Sequence, residues 1–185
     1  MDQLSPIEGR LAVRLARTAL ESRIRGDCMN PESLPPIFSE KRGVFVCVKR
    51  HGELRGCIGF PYPMLPLGDA IMQAAVAAVT EDPRFAPVGP REIGDLSVEV
   101  TVLTPPVSLQ GEPEKRSDKI EVGKHGVIVR GFGTSGLLLP QVAVEYKWDS
   151  RTFLDHTCMK AGLRAGCWTG GSVEVLTFEG QIFSG

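Results

Sequence analysis

The chain of 185 residues is predicted to adopt an α+β fold, in which helices flank a largely antiparallel sheet. Its predicted strands and helices do not alternate regularly, which argues against a doubly wound parallel sheet. Glycine and proline are abundant, with 21 and 14 residues, so turns are frequent. A chain of 20.0 kDa buries about 70% of its unfolded surface on folding, which is enough for a real core. We therefore expect one domain over residues 1–185, with room for two lobes.

The charge balance and the apolar runs exclude several classes of function. The 21 lysines and arginines face 22 acidic residues, for a net charge of −1, and aromatic residues make up 6% of the chain. A nucleic-acid-binding domain usually shows a basic footprint or a base-stacking platform, so nucleic acid is not an expected partner. The longest unbroken apolar run, Ala74–Val79, is far too short to span a bilayer, and residues 1–25 lack a signal-peptide pattern. These features predict a soluble cytoplasmic protein with no membrane partner.

The cysteines are odd in number and include no Cys-x-x-Cys pair. This pattern supports neither a zinc ribbon nor a secreted disulfide framework, so free thiols are expected. No cluster of His, Cys or carboxylate residues has zinc spacing, and we expect no metal site. Cys47 and Cys158 are interpreted as core residues, and Cys28 and Cys167 as simple thiols.

Local patterns in the first half of the chain predict two helices and a β-hairpin. Pro6 suits the first turn of a helix, and Asp69 suits the N-cap of a second helix that is apolar on most sides. His51-Gly52 is a short turn between two strands. In order, we expect a helix over 6–25, a loop over 26–42, strands over 44–48 and 53–59, a helix over 69–80 and a structured loop over 82–87.

The second half is predicted to contain shorter elements. Val98, Val100 and Val102 alternate with polar residues, which is typical of a strand with one face toward a core. Residues 108–121 are polar and carry charges of both signs, so they are interpreted as a solvated linker. The expected elements are a strand from 95 or 96 to 103, strands over 127–129 and 137–139 joined by a glycine loop, a helix that begins at Asp149 and ends before Gly162, and a last strand over 172–178.

The register of the hairpin decides which side chains share a face of the sheet. A two-residue turn at His51-Gly52 would pair Val46 with Cys57. Because side chains alternate along a strand, Arg55 and Cys57 would share one face with Cα atoms about 7 Å apart, and Cys47 would lie on the other face. A guanidinium at that distance favours the thiolate form of a cysteine.

Two interpretations of the strand over 53–59 stay open. In the functional one, Cys57 is an activated thiolate, Arg55 is its partner or an anion clamp, and Gly56 and Gly59 let a ligand approach. In the other, the Arg-Gly-Cys sequence is simple packing, because cysteine is among the most buried residue types. A slip of one residue in register would move Cys57 to the opposite face.

A second set of polar residues lies around the C-terminal helix. His156 and Lys160 are one helical turn apart, and Gln141 and Glu145 lie just upstream. Together they could line a polar pocket with a base and a cation, or they could form a solvated helix face. The glycine-rich run 131–136 lacks the Lys-Ser/Thr ending of a phosphate-binding loop and is not interpreted as one.

The segment Leu54-Arg55-Gly56-Cys57-Ile58-Gly59 resembles the signature hexapeptide of the AMMECR domain family, and the run from Trp148-Asp149 to Leu163 resembles the prokaryotic branch of that family. Further matches, Asp82-Pro83-Arg84-Phe85, Val100–Thr104, His125-Gly126 and Leu139–Ala143, occur in the family's order over about residues 10–180. The resemblance implies an α+β fold with a larger and a smaller lobe, and a cleft near the hexapeptide. Pro83 replaces a serine common in the family, which argues against a nucleophile at that position.

The resemblance also implies a shared pathway. The family has no established reaction, and its prokaryotic genes often accompany those of a Memo-type protein and a radical S-adenosylmethionine enzyme. We therefore expect a cleft-bearing component of that pathway, with the hexapeptide, Arg84 and Phe85 as its ligand or partner site. The alternative is an enzyme that uses Cys57 as an activated thiolate assisted by Arg55. No reaction, cofactor or oligomeric state follows from the sequence.

Overall fold

The computed structural model describes residues 3–29 and 33–185, which form two compact units. Unit 1 runs to Leu103 and includes Gln181–Gly185, and unit 2 comprises Thr104–Gly180. Both units combine helices with antiparallel strands, so the predicted α+β class is confirmed. Among the helices of the described residues, none has both the length and the apolar character that crossing a membrane requires.

Unit 1 packs two helices against an antiparallel sheet. Its helices are α1 (Pro6–Arg25) and α2 (Leu67–Thr80), and its strands are β1 (Gly43–Arg50), β2 (Glu53–Phe60) and β3 (Leu96–Leu103). The strand order is β2-β1-β3, so β2 lies at the edge of the sheet. Short 3₁₀ helices occupy Pro36–Ser39 and Pro90–Asp95.

The core of unit 1 lies between the sheet and the helices. Val44, Val46 and Val48 are fully buried, since every second residue of a strand points to the same face. They belong to one cluster with Ala74 and Ala75 of α2, whose small side chains let the helix approach the sheet closely. The predicted buried helix is therefore confirmed, and it begins two residues before its predicted start.

Unit 2 has a separate core. Its strands are β4 (Val107–Ser108), β5 (His125–Gly131), β6 (Thr134–Leu138) and the first part of β7 (Glu174–Ser184), its helices are α3 (Pro140–Glu145) and α4 (Ser150–Lys160), and 3₁₀ helices occupy Pro113–Lys119 and Cys167–Thr169. β5 pairs with β6 and β7, and β4 pairs with β7, all antiparallel. Phe153, Leu154 and Trp168 are buried in this core.

Several elements differ from their predicted bounds. The last strand continues to Ser184, and the sequence pattern does not predict α3, which is too short to show a helical period. The segment predicted as a solvated linker instead contains a 3₁₀ helix that buries Arg116 and Ser117. Part of the predicted loop over 26–42, residues 30–32, lies outside the described residues.

Candidate functional site

The hexapeptide lies on β2, and its register differs from the prediction. The turn at His51-Gly52 forms as expected, with positive φ angles of 52° and 85°. Lys49 pairs with Leu54, but the preceding residue of β1 pairs with Gly56, so Arg55 is the extra residue of a β-bulge. A single extra residue reverses the faces of everything that follows it on the strand. The predicted pairing of Arg50 with Glu53 is confirmed, and the predicted register is therefore wrong from Val48 onward.

Cys57 consequently lies opposite Cys47, not opposite Val46. The Cα atoms of the two cysteines are 4.1 Å apart, and a disulfide joins their sulfur atoms. Both residues are half-buried, on the face of the sheet opposite the buried valines of β1. The predictions that Cys47 lies in the core and on the other face from Cys57 are wrong, because the bulge brings the two side chains together.

A second disulfide joins Cys158 and Cys167 within unit 2. The prediction of free thiols is therefore wrong for four cysteines, and among the described residues the exposed Cys28 stays free. Cys158 is fully buried, as predicted. The pairs are separated by 10 and 9 residues and are brought together by the fold, which a count of cysteines does not show.

Arg55, the bulge residue, has its guanidinium bound to a carboxylate. Its Nε and Nη2 donate to Glu92 at 2.9 and 3.1 Å, and its Nη1 donates to the carbonyl oxygen of Ala86 at 2.9 Å. These bonds from Arg55, with one from the N–H of Gly89, hold the pKa of Glu92 below its usual value. The Arg55 guanidinium, which the sequence predicts beside the Cys57 sulfur, instead forms its hydrogen bonds with Glu92 and Ala86.

The loop that follows α2 covers the outer edge of β2 at Cys57. The buried carboxylate of Asp82 accepts a hydrogen bond from the Cys57 N–H at 2.8 Å, and Arg84 Nη2 donates to the Cys57 carbonyl at 3.4 Å. Arg84 also binds Asp82 through Nε and Nη2, at 2.9 and 2.6 Å. This guanidinium holds the pKa of Asp82 far below its usual range. The two side chains therefore occupy the backbone groups that an added strand would use.

The ring of Phe85 lies close to both arginines. Its centroid is 5.4 Å from Arg84 Cζ and 6.0 Å from Arg55 Cζ, which is the range of cation–π attraction. We call Arg55, Asp82, Arg84, Phe85 and Glu92 the Phe85 cluster. Its two cations and two carboxylates balance in charge, so the cluster is a paired network.

The two glycines of the hexapeptide permit close packing within unit 1. A Cβ on Gly56 would overlap the carbonyl oxygen of Ala78 in α2, and a Cβ on Gly59 would overlap the Phe45 ring and the Val44 carbonyl. The space beside each glycine is filled by the chain itself, which is a simpler reason for glycine than the predicted approach of a ligand. Among their neighbours, Leu54 is 41% exposed and Ile58 is half-buried.

The second predicted set of polar residues lies in unit 2. His156 stacks on Trp148 with ring centroids 3.8 Å apart, and Gln141 Oε1 is buried without a hydrogen-bond partner among the described residues. Glu145 and Lys160 are exposed. Within residues 3–29 and 33–185 no hydrogen bond or ion pair joins any two of the four predicted residues, so their grouping as a pocket stays a prediction.

Two members of the Phe85 cluster, Asp82 and Glu92, are absent from the predicted site residues. Asp82 had a local signal, since it lies two residues before Arg84 in a motif of the resemblance. No local sequence signal indicates Glu92, because it lies 37 residues from Arg55, in a 3₁₀ helix. In the described part of the chain, no group of three or more His, Cys, Asp or Glu residues could hold a metal ion.

Comparison with known proteins places these residues within a family. The family model described as AMMECR1 matches residues 13–183. The chain belongs to the AMMECR1 family. The AMMECR1 match includes the hexapeptide, the whole Phe85 cluster and all of unit 2.

The relatives agree over almost the full chain. A protein of Methanosarcina acetivorans is 51% identical over 97% of this chain and 92% of its own length, and one of Methanothermobacter thermautotrophicus is 49% identical over 97% and 95%. The crystal structure of an uncharacterized protein from Pyrococcus horikoshii superposes with a TM-score of 0.90 at 45% identity, covering 98% of this chain and 93% of that one. The resemblance to the AMMECR1 family and its fold are thus confirmed.

Proposed function

We propose that this protein is a non-catalytic binding component whose partner docks on the Phe85 cluster. The observation that carries the proposal is that Arg84 is exposed and yet held in place. Its side chain is 54% exposed, yet its guanidinium is held by Asp82, the Cys57 carbonyl and the ring of Phe85. An exposed side chain that is already ordered loses little freedom on binding, and arginines and aromatics are enriched in binding hot spots.

The polar groups of the hexapeptide support a scaffold role. All three nitrogens of the Arg55 guanidinium have partners, and so do the N–H, the carbonyl and the sulfur of Cys57. A nucleophile or a general base needs a group that is free to attack or to take a proton. In this form of the protein those groups hold unit 1 together, which favours binding over catalysis.

The covered strand edge indicates how a partner would bind. Because Asp82 and Arg84 occupy the outward N–H and carbonyl of Cys57, a partner strand cannot extend the sheet at that position. Recognition would instead use side chains. Among the described residues, the Arg84 side chain donates its hydrogen bonds through Nε and Nη2, which leaves Nη1 for an acceptor on the partner. Leu54 offers an exposed apolar contact.

The resemblance supplies the partners to try first, a Memo-type protein and a radical S-adenosylmethionine enzyme. We propose that one of them binds the Phe85 cluster directly. Full-length protein would be titrated with each purified partner by calorimetry. Arg84→Ala should weaken the complex at least tenfold, equivalent to about 1.4 kcal/mol. Arg164→Ala, which removes an exposed arginine of unit 2, is the matched control and should leave the affinity unchanged.

Thermal melting of each variant would show that it folds. Phe85→Ala is a second variant, which disrupts the cluster without removing a charge. An affinity within twofold of the unmodified protein for both cluster variants would contradict the proposal. So would the absence of a complex with either partner at micromolar concentration.

The alternative, in which Cys57 is an activated thiolate assisted by Arg55, stays a prediction for a reduced form of the protein. Reduction of the disulfide, or Cys47→Ser, would free the Cys57 sulfur. The pH dependence of Cys57 alkylation in that variant measures the pKa of its thiol. A value near that of a model thiol, about 8.5, would exclude the alternative, and a value well below it would favour an enzyme.

A further inference from the structure

Arg116 is a buried cation in the segment predicted to be solvated. It lies in the 3₁₀ helix Pro113–Lys119 of unit 2 and is 8% exposed. Its Nη1 donates to the carbonyl oxygens of Trp168 and Gly170 at 2.7 and 3.1 Å. Its Nε has no hydrogen-bond partner among the described residues. The chain therefore satisfies this guanidinium only in part.

The charge of Arg116 also lacks a counter-charge. Across residues 3–29 and 33–185 no carboxylate forms an ion pair with it, and burial alone lowers its pKa. A buried cation without a partner is costly, and the two backbone carbonyls offset that cost only through their dipoles. An anion that binds the folded chain beside Arg116 would stabilise it.

Arg116 lines an open pocket with a volume of about 500 Å³. Ser108, Gly111, Gly171 and Ser172 also line this pocket, so part of its wall combines two hydroxyl groups with residues that have no side chain. A bound group can approach closely where side chains are absent. We call this site the Arg116 pocket.

A second cation lines the same pocket. Arg130 Nη1 lies 3.6 Å from Glu174 Oε2, and both side chains are nearly half exposed. An exposed pair of this kind contributes little to stability, and its carboxylate residue, Glu174, also lines the pocket. The pocket thus combines one buried guanidinium and one that is nearly half exposed.

We propose that the Arg116 pocket binds a small molecule through a carboxylate or phosphoryl group. A planar guanidinium offers donors that match two oxygens of either group. The serine hydroxyls add donors, and the volume is in the range of small-molecule sites. The proposal does not rest on the docking of a partner at the Phe85 cluster, since every residue of the pocket belongs to unit 2.

Thermal unfolding and calorimetry of the full chain would test the site with inorganic phosphate and with citrate, each against sodium chloride of equal ionic strength. We expect a saturable rise in the unfolding midpoint and one-to-one binding with a dissociation constant of millimolar or tighter. Saturation by phosphate alone would assign a phosphoryl ligand, and saturation by citrate alone would assign a carboxylate ligand. Saturation by both would assign a general oxyanion site.

Two variants decide whether binding occurs in this pocket. Arg116→Met removes the charge, and Gly171→Asp adds a carboxylate to the wall at a position where a Cβ meets nothing within 4 Å. Both should weaken binding at least tenfold, and Gly171→Asp decides if Arg116→Met does not fold. Gly94→Asp, an equally open position in unit 1, should bind like the unmodified protein. Equal responses to chloride and to the two probes, or undiminished binding by the pocket variants, would overturn the proposal.

Discussion

The two arginines of the Phe85 cluster in unit 1 and Arg116 in unit 2 have opposite kinds of hydrogen-bond partner. In the Phe85 cluster, Arg55 and Arg84 each bind their own carboxylate, at 2.9 and 2.6 Å. In unit 2, Arg116 is buried more deeply, and within the described part of the chain its hydrogen bonds go only to backbone carbonyls. A paired cation stabilises the fold and shapes a surface, whereas an unpaired one keeps its affinity for an anion. The first region therefore suits docking, and the second suits binding of a small anion.

The largest effect is expected from the packing beneath the Phe85 cluster. Gly56→Ala would force a Cβ into the backbone of α2 at Ala78, and we expect a loss of about 3 kcal/mol in the free energy of unfolding. For a chain of this size the midpoint of thermal unfolding should fall by roughly 6–12 °C. Gly94→Ala is the control, because its Cβ meets open space. Equal stability of the two variants would show that β2 and α2 do not pack this closely.

The disulfides should stabilise the two units to a similar extent, because they close loops of similar length, with separations of 10 and 9 residues. The chain-entropy relation gives about 2.7 kcal/mol for each. The double variants Cys47→Ser/Cys57→Ser and Cys158→Ser/Cys167→Ser should lose that amount in urea unfolding. A reducing agent should lower the stability of the unmodified protein toward that of the variants. No response to the reducing agent would show that the cysteines are free thiols.

Loss of a carboxylate from the Phe85 cluster should cost about 2 kcal/mol. Asp82→Asn removes the charge that Arg84 binds and replaces one of the two acceptor oxygens by an NH2 group, so Arg84 and the Cys57 N–H can no longer keep all their hydrogen bonds. The lowered pKa of Asp82 means that its stabilisation is complete above the unfolded value near 3.9 and is lost as pH falls toward the folded value. The difference between the variant and the unmodified protein should thus be full at neutral pH and shrink below about pH 4. Urea unfolding at several pH values measures it, with the exposed Asp69→Asn as control. A difference that grows in acid would contradict the pairing.

The smallest effect is expected where the charge is unpaired. Arg116→Met loses two hydrogen bonds to carbonyls but also removes an uncompensated buried charge, so the net loss should be about 1 kcal/mol or less. Arg55→Met, by contrast, leaves Glu92 without its main partner and should lose about 2 kcal/mol. Unfolding in urea without added anions compares the two. A larger loss in the free energy of unfolding for Arg116→Met than for Arg55→Met would contradict the proposed difference between the units.

The hairpin shows how far the sequence predicts the site. The turn at His51-Gly52 was predictable, because these residues favour the positive φ angles of a two-residue turn. The register beyond it was not, since the bulge at Arg55 accompanies a bond to Glu92, 37 residues further on. The pairing of Cys47 with Cys57 depends on that bulge. The local sequence pattern therefore predicts where the motif lies but not which residues its side chains contact.

The Arg116 pocket shows why other features escape prediction. Arg116 belongs to a charged segment typical of a solvated linker, yet its partners are carbonyls of residues 52 and 54 positions along the chain. Every residue has a carbonyl, so residue types give no sign of such a partner. The family and the fold class were predictable because they depend on many residues at once, whereas this pocket depends on a few long-range contacts.

The most direct test of separate roles for the paired and the unpaired arginines is to measure how each of two variants binds each of two ligands. Arg84→Ala and Gly171→Asp would each be titrated with the protein partner and with the anion that the unmodified chain binds. We expect Arg84→Ala to lose partner affinity at least tenfold and to keep the anion, and Gly171→Asp to keep the partner and lose the anion. Loss of both ligands in one variant, or of neither ligand in both, would contradict this separation.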